Sequence, residues 1–384
     1  MPQDHPPPQP PKRPRGPLAW LRRRALSHLA RLLALSGILL TLAWGAGRWF
    51  NDDHLWSQYL FWLPTGLVAA LAWLTLLLSA LCSKLSLRMG GVKLRPFLAL
   101  GALITTAWMI HDWRPLNAPK RLAPRRESDV RVTYWNLSVE RHATGAPDAI
   151  LKTKPDIAIV ANIRNDEHRQ PILEALASLK PESSDGVHFR HWGAVTIGSR
   201  FPILRRGMAR PRRVTTLLND WRSEHDTGRI TFTEFDTGGE LTDDVFVVWV
   251  VDLPSDPTMP RSEVMDAAAR AVAQFEGPAY TPDALGRWLP APLPEGALGF
   301  PEPDLIIGDF NTPRGSRSLR LLVGDARSAH AQGGLGPAGT WTRTLPLWAI
   351  DQAFTGDRVR AVRTTVVDPG MSEHRMLVVD LQPR

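Results

Sequence analysis

Asp309 and Asn311 are where the chemistry of this chain begins. They close the stretch Leu305-Ile306-Ile307-Gly308-Asp309-Phe310-Asn311-Thr312-Pro313. The three aliphatic residues predict a short buried strand, Gly308 ends it, and Thr312-Pro313 turns the chain away. Side chains two positions apart on extended backbone point the same way. A carboxylate placed there accepts from water or binds a hard cation, and the carboxamide donates to a phosphate oxygen. The same letters suit an ordinary Asx turn. The case for chemistry therefore rests on polar residues at the ends of other strands.

Such residues recur along the second part of the chain. Val130–Trp135 reads as an apolar strand ending in Asn136, and Ile157–Ala161 as one ending in Asn162. Val245–Val251 ends in Asp252. Trp348–Phe354 holds Asp351, and Glu373-His374 stands just before a final strand, Met376–Leu381. An imidazole with a carboxylate to orient its other ring nitrogen is an acid–base pair. Helical spacing marks Pro147–Thr153, Gln170–Leu179 and Ser262–Phe275. The Pro- and Gly-rich stretch Pro278–Pro303 reads as an inserted loop. His168, His188 and His191 read as surface polar residues and Trp249 as core.

The elements that must position these groups follow a charged and apolar N-terminal third. Residues 1–126 hold 17 Lys+Arg against 4 Asp+Glu, and residues 127–384 hold 29 against 34. The basic balance belongs to the first part, which argues against a duplex-binding surface on the second. The single cysteine, Cys82, excludes an intrachain disulfide and says nothing of compartment. Residues 1–24 form a Pro-rich basic tail without the composition of a packed core. Within residues 25–113, three apolar stretches follow, at about 32–50, 59–82 and 96–113, against the ~20 apolar residues that a spanning helix needs. Tryptophans cluster near their ends. The tail and the second loop, with Lys84, Arg88, Lys93 and Arg95, are basic, whereas the first loop, Asn51-Asp52-Asp53-His54, is acidic. The reading is an integral, multi-pass membrane protein with three spans and its C-terminal domain outside the cytoplasm. Against that orientation stand Arg114, Lys120, Arg121, Arg125 and Arg126 after the third stretch. Residues 114–128 read as a linker.

From Val130 onward the order of motifs resembles the endonuclease/exonuclease/phosphatase superfamily. The resemblance is carried most specifically by Gly308–Pro313 and by Ser372–Leu381. Val130–Ser138, Lys154–Val160, Gly193–Ile203, Val245–Pro254 and Ala349–Phe354 come in the family's order. Three apolar segments before such a domain also resemble the membrane-bound subgroup of cell-envelope phosphate chemistry. The resemblance implies an α/β fold over 129–384: a four-layer sandwich of two packed mixed sheets flanked by helices, here preceded by about three transmembrane helices. It implies a metal-dependent hydrolase with Mg²⁺ or Mn²⁺ and a phosphate-ester substrate, lipid-linked or small. Asp309 would activate water, Asn311 would stabilise phosphoryl oxygens, His374 would contact the scissile phosphate, and Asp351 would orient His374. Asn136, Asn162, Glu373 and Asp252 would stand around the metal.

The chain departs from the family pattern where charge matters. Asn162 stands where the family has a metal-binding glutamate, Asp252 where it has a histidine, Glu373 where it has an aspartate, and Gln352 where a histidine follows Asp351. Replacing Glu by Asn removes a full charge from a hard-cation site. Asp252 could restore it from a neighbouring strand. Two further readings follow from these departures: a family member with weakened or absent catalysis that serves as a binding protein, and an extracytoplasmic nuclease. Nucleic acid is the less favoured ligand because the domain is acidic.

Overall fold

The computed structural model describes residues 16–86, 92–122, 124–138, 145–163, 166–179, 189–192, 195–211, 228–283, 287–293 and 296–384. Most of the N-terminal tail, Arg88 in the second loop, and His188 lie outside these residues. The chain divides into two compact units, one of residues 1–45 and 65–108, the other of residues 46–64 and 109–384.

The first unit is helical. Its elements are α1 (Pro17–Phe50), which runs on past the unit's edge, then α3 (Thr65–Ser86) and most of α4 (Arg95–Asp112), with α2 (Leu55–Phe61) falling in the other unit. Ala34, Ala72, Leu98 and Ala102 form its buried centre. Small side chains let helix backbones approach closely. Ser79 Oγ donates to the Ala30 carbonyl at 2.8 Å, and Arg95 donates to the Ser79 carbonyl at 2.8 Å. Leu39, Leu42, Leu77 and Leu103 stay exposed on the outer faces.

Among the described residues, two helices are long and apolar enough to cross a membrane, Pro17–Phe50 and Thr65–Leu85. This corrects the expectation of about three spans. The stretch at 96–113 becomes α4, an 18-residue helix opened by Arg95 and closed by His111 and Asp112. At 18 residues it is at the short end of the spanning range, and Arg95, His111 and Asp112 within it leave no sufficiently apolar window of that length. The second apolar stretch is also broken. Its first residues belong to α2, Pro64 interrupts, and the long helix starts at Thr65.

The second unit carries two mixed sheets. Its strands are β1 (Val130–Asn136), β2 (Ile157–Ala161), β3 (Phe189–Trp192), β4 (Val195–Ser199), β5 (Ile203–Ala209), β6 (Arg229–Asp236), β7 (Val245–Asp252), β8 (Ala279–Pro282), β9 (Trp288–Ala291), β10 (Leu305–Asp309), β11 (Arg327–Ser328), β12 (Asp351–Thr355), β13 (Val359–Val367) and β14 (Met376–Pro383). One sheet has the order β13-β14-β1-β2-β4-β3, the other β11-β12-β10-β7-β6-β5-β8-β9. The stretch expected as an inserted loop thus holds β8 and β9, a hairpin at one edge of the second sheet.

The two sheets bury a shared core. Val132 and Ile159 of the first join Val248, Val250 and Ile307 of the second in one cluster. Strands buried on both faces read as continuous Val/Ile runs, as β2, β7 and β10 do. On the outer face of the first sheet, α6 (Ala146–Lys152) and α7 (Asp166–Ala177) contribute Ile150, Ile172 and Leu176. On the outer face of the second, α8 (Arg261–Ala273) and α9 (Leu319–Val323) contribute Val264, Met265, Ala268 and Leu322. The result is helix, sheet, sheet, helix, the expected four layers. Two short helices complete the unit, α5 (Ala118–Leu122) and α10 (Ala329–Gly333). The segment read as a linker is tied to the sandwich: Arg125 donates to Asp156 at 2.6 Å and Asn117 to the Gly334 carbonyl at 2.9 Å.

Candidate active site

Strand register brings three carboxylates side by side. β10 runs parallel to β7 with Asp309 opposite Asp252, and antiparallel to β12 with Asp309 opposite Asp351. Residues level with one another on three neighbouring strands share one sheet end. Asp252, Asp309 and Asp351 are 8%, 2% and 2% exposed, so their mutual repulsion is weakly screened. The approach of β10 to β7 depends on Gly308, whose φ is +152°. A Cβ there would stand 2.0 Å from the Val251 carbonyl oxygen.

The other sheet supplies the remaining polar groups. Asn136 ends β1 and its Nδ2 donates to Asp309 Oδ2 at 2.9 Å, which ties the two sheets at the site. Asn162 lies one residue past β2 with φ +59°, a left-handed conformation that asparagine tolerates. Its Nδ2 donates to Asn136 Oδ1 at 3.1 Å and to Asp252 Oδ1 at 3.3 Å. Asn311 is also left-handed, with φ +46°. Its backbone N–H donates to Asp309 Oδ1 at 2.9 Å, an Asx turn. Its side-chain Nδ2 donates to the Leu253 carbonyl at 2.8 Å, so one amide hydrogen is committed to backbone.

His374 stands over the carboxylates. Its Nδ1 is 2.9 Å from Asp351 Oδ2 and 3.9 Å from Asp309 Oδ2. Ser372 holds the loop: its Oγ donates to the Asn136 carbonyl at 2.7 Å and accepts from the His374 N–H at 3.0 Å. Burial alone would lower the imidazole pKa, but Asp351, then Asp309 and Asp252, outweigh it and raise the value to about 9. Burial, reinforced by Asp351 and Asp252 against the pull of His374, pushes Asp309 up to about 7.

These residues open on one cleft of about 470 Å³. It is lined by Asn136, Asn162, Asp252, Asp309, Asn311 and His374, and also by Arg229, Arg261, Trp62, Trp341 and Trp348. Asp351 sits behind His374. Glu373 is exposed and does not line the cleft. The two arginines were not among the residues the sequence pointed to. Arg229 is the first residue of β6, in register with Asp252, and its Nε lies 3.1 Å from Asp252 Oδ2. In the sequence the apolar positions of this strand begin only at Ile230, one residue after it. Arg261 is fully buried and donates to the Pro254 and Asp256 carbonyls at 2.7 Å each. Burial lowers its pKa to about 10, which still leaves it charged at neutral pH.

The donor set suits a cation. Three buried carboxylates stand with one imidazole and two guanidiniums, Arg229 and Arg261. Asp351 Oδ1 is buried without a hydrogen-bond partner among the described residues. Asp309, Asp351 and His374 each bring one possible ligand atom within 4.8 Å of the others.

The family profile of the Endonuclease/Exonuclease/phosphatase family matches residues 133–374. The chain belongs to this family, whose members hydrolyse phosphate esters and generally depend on a divalent metal. Similar solved structures include the human Nocturnin catalytic domain (14% identity, 68% of this chain and 97% of that chain, TM-score 0.42). A mannosyl-6-phosphatase of Bacteroides thetaiotaomicron VPI-5482 is similar at 14% identity, with 66% and 99% covered and TM-score 0.43. The 2',3'-cyclic phosphatase ANGEL2 is similar at 11% identity, with 66% and 96% covered and TM-score 0.42. No curated protein matches.

Proposed function

We propose that this chain is a membrane-anchored, metal-dependent phosphoesterase that hydrolyses a lipid-linked or small phosphate ester. The observation that carries the reading is the row Asp252, Asp309 and Asp351 at one sheet end, with His374 bonded to Asp351 in the same cleft. Asp309 accepts the proton of the attacking water. The water oxygen bonds to phosphorus as the ester P–O bond breaks. His374, protonated and held through Nδ1 by Asp351, supplies the proton for the leaving oxygen from Nε2. The second amide hydrogen of Asn311 meets the phosphoryl oxygens, and Arg261 adds positive charge from beneath the cleft. Asn136, Asn162 and Asp252, with Asp309 beside them, would hold Mg²⁺ or Mn²⁺. The ion would neutralise phosphate charge and polarise the P–O bonds.

Anchoring is read from α1 and α3, whose most apolar windows are only 22% and 28% buried within the protein. Such exposed apolar faces suit lipid.

A second reading, a binding protein with weakened catalysis, is favoured by one observation. Asn162 replaces a carboxylate, and Arg229 already neutralises Asp252. A hydrolysis assay of the full-length protein in detergent, with Mg²⁺ or Mn²⁺ against a lipid pyrophosphate, a phosphodiester and DNA, separates the two. Metal-dependent hydrolysis of any of them supports the enzyme, and its absence with every substrate supports the binding protein.

A further inference from the structure

The site includes a wall that the catalytic segment does not supply. Residues 46–64, between α1 and α3 in sequence, pack into the second unit. Gln58 is fully buried within them. Its Nε2 donates to the carbonyls of Pro257 and Met259 at 3.1 and 3.3 Å, and its Oε1 accepts from the Arg261 N–H at 2.8 Å. Asp52, 2% exposed, accepts from the N–H groups of Arg317 and Ser318 at 2.9 and 3.1 Å and from the Ser318 hydroxyl. Asn51 Oδ1 accepts from the Arg317 N–H at 2.8 Å, and Asn51 Nδ2 donates to the Gly315 carbonyl at 3.1 Å. Buried side chains that satisfy backbone groups 199 to 266 residues away in sequence are fixed structure, since such groups are costly to strand.

What this segment delivers to the cleft is Trp62. Its ring lies 5.6 Å from the Arg261 guanidinium, and its carbonyl accepts from Trp348 Nε1 at 2.9 Å. Trp348 in turn lies 5.5 Å from Trp341, ring centre to ring centre. Pro257, whose carbonyl accepts from Gln58, also lines the cleft, as do Leu253 and Ile350. The lining therefore combines carboxylates, amides and arginines with a cluster of indoles and some aliphatic carbon. The indole N–H of Trp62 is buried and that of Trp348 is spent on the Trp62 carbonyl, so these two rings present carbon.

We infer that Trp62, with Trp341 and Trp348, forms a subsite for the apolar alcohol portion of the substrate, so that the inter-helix segment selects lipid phosphate esters. The inference rests on the phosphoesterase reading and names its substrate class. Aliphatic carbon on the wall beside the indoles, and the origin of Trp62 between two apolar helices, favour a hydrocarbon chain over a nucleobase.

The test uses the full-length protein in detergent with farnesyl phosphate, ethyl phosphate and adenosine 5′-monophosphate. In Trp62→Ala the ratio of kcat/KM for farnesyl phosphate to that for ethyl phosphate drops about tenfold, the effect of 1.4 kcal/mol of lost contact. The loss lies in KM, and Trp62→Phe recovers most of it. An unchanged ratio, an equal loss on both esters, or a wild-type preference for the nucleotide overturns the proposal. If the wild type hydrolyses none of the three, the catalytic reading fails by itself. Calorimetric binding of farnesyl phosphate then judges the wall: about tenfold weaker binding in Trp62→Ala supports it, and unchanged or undetectable wild-type binding overturns it.

Discussion

Asp351 Oδ2 holds His374 Nδ1 at 2.9 Å, and both side chains are buried. The pair fixes which ring nitrogen is committed and which is left for substrate, and it keeps a proton on the ring. For catalysis as proposed, Asp309 must be ionised and His374 protonated. Activity is then gained as pH rises through about 7 and lost as it rises through about 9, values that belong to the interacting cluster. Asp351→Asn removes the largest influence raising His374. The alkaline limb of kcat/KM should move down by about one pH unit or more, with kcat lowered about 10²-fold or more. A pH–rate profile of both proteins checks this, and an unmoved alkaline limb would refute the assigned role.

Metal affinity tests the departure from the family pattern at Asn162. Asn162→Glu places a carboxylate next to Asn136 and Asp252 and should tighten Mn²⁺ binding by about tenfold or more, since hard-cation affinity follows ligand charge. Asp252→Ala should weaken it and also release Arg229. Titration of Mn²⁺ followed by electron paramagnetic resonance reads both without turnover. Equal affinity in all three proteins would remove these residues from the metal site.

Much of this site was legible in sequence because strand ends are legible. Apolar runs closed by Asn136, Asn162, Asp252 and Asp309 mark where side chains leave the core, and period two does the rest. Arg229, Arg261 and Trp62 were not. Arg229 reaches the site only through its register opposite Asp252. Arg261 looks like a helix-opening charge, and Trp62 looks like an interface tryptophan of a membrane span. Register and long-range docking leave no local pattern. The same holds for β5 and β13, whose runs Ile203–Ala209 and Val359–Val367 mix charged and apolar residues because part of each strand is solvated. The third apolar stretch misled for the opposite reason: its composition was suggestive, while its length and charged ends were not.

Acid should also act on the fold through a group that does not line the cleft. His330 is buried, and burial together with Arg314 and Arg114 lowers its pKa to about 3 against an ordinary 6.5. The unfolded chain takes up this proton near 6.5, the folded one only near 3. Stability is therefore full above about 6.5 and falls as pH drops below it, by up to ~1.4 kcal/mol per pH unit for one proton. In His330→Phe, denaturant midpoints between pH 6.5 and 4.5 should depend less on pH than in wild type. Identical slopes would show that other groups govern acid unfolding.

Gly308→Ala probes the seam that carries Asp309. The new methyl group would meet the Val251 carbonyl at 2.0 Å on a backbone with φ +152°. Separating β10 from β7 should cost about 1–3 kcal/mol or more and displace Asp309 from Asp252. Thermal unfolding and turnover should both suffer. A variant with wild-type Tm and activity would mean that the two strands can slide apart without consequence.

The docking of residues 46–64 bears on how such a protein is divided for study or compared with others. The family segment spans residues 133–374, yet Asp52, Gln58 and Trp62 precede it by 70 residues or more. A fragment begun at residue 129 would contain every carboxylate of the site. It would leave the N–H groups of Arg261, Arg317 and Ser318 without their side-chain acceptors and the cleft without one of its walls. Two chains with matching catalytic segments could differ in substrate solely through a short stretch between helices, one that an alignment of the catalytic segment never reaches.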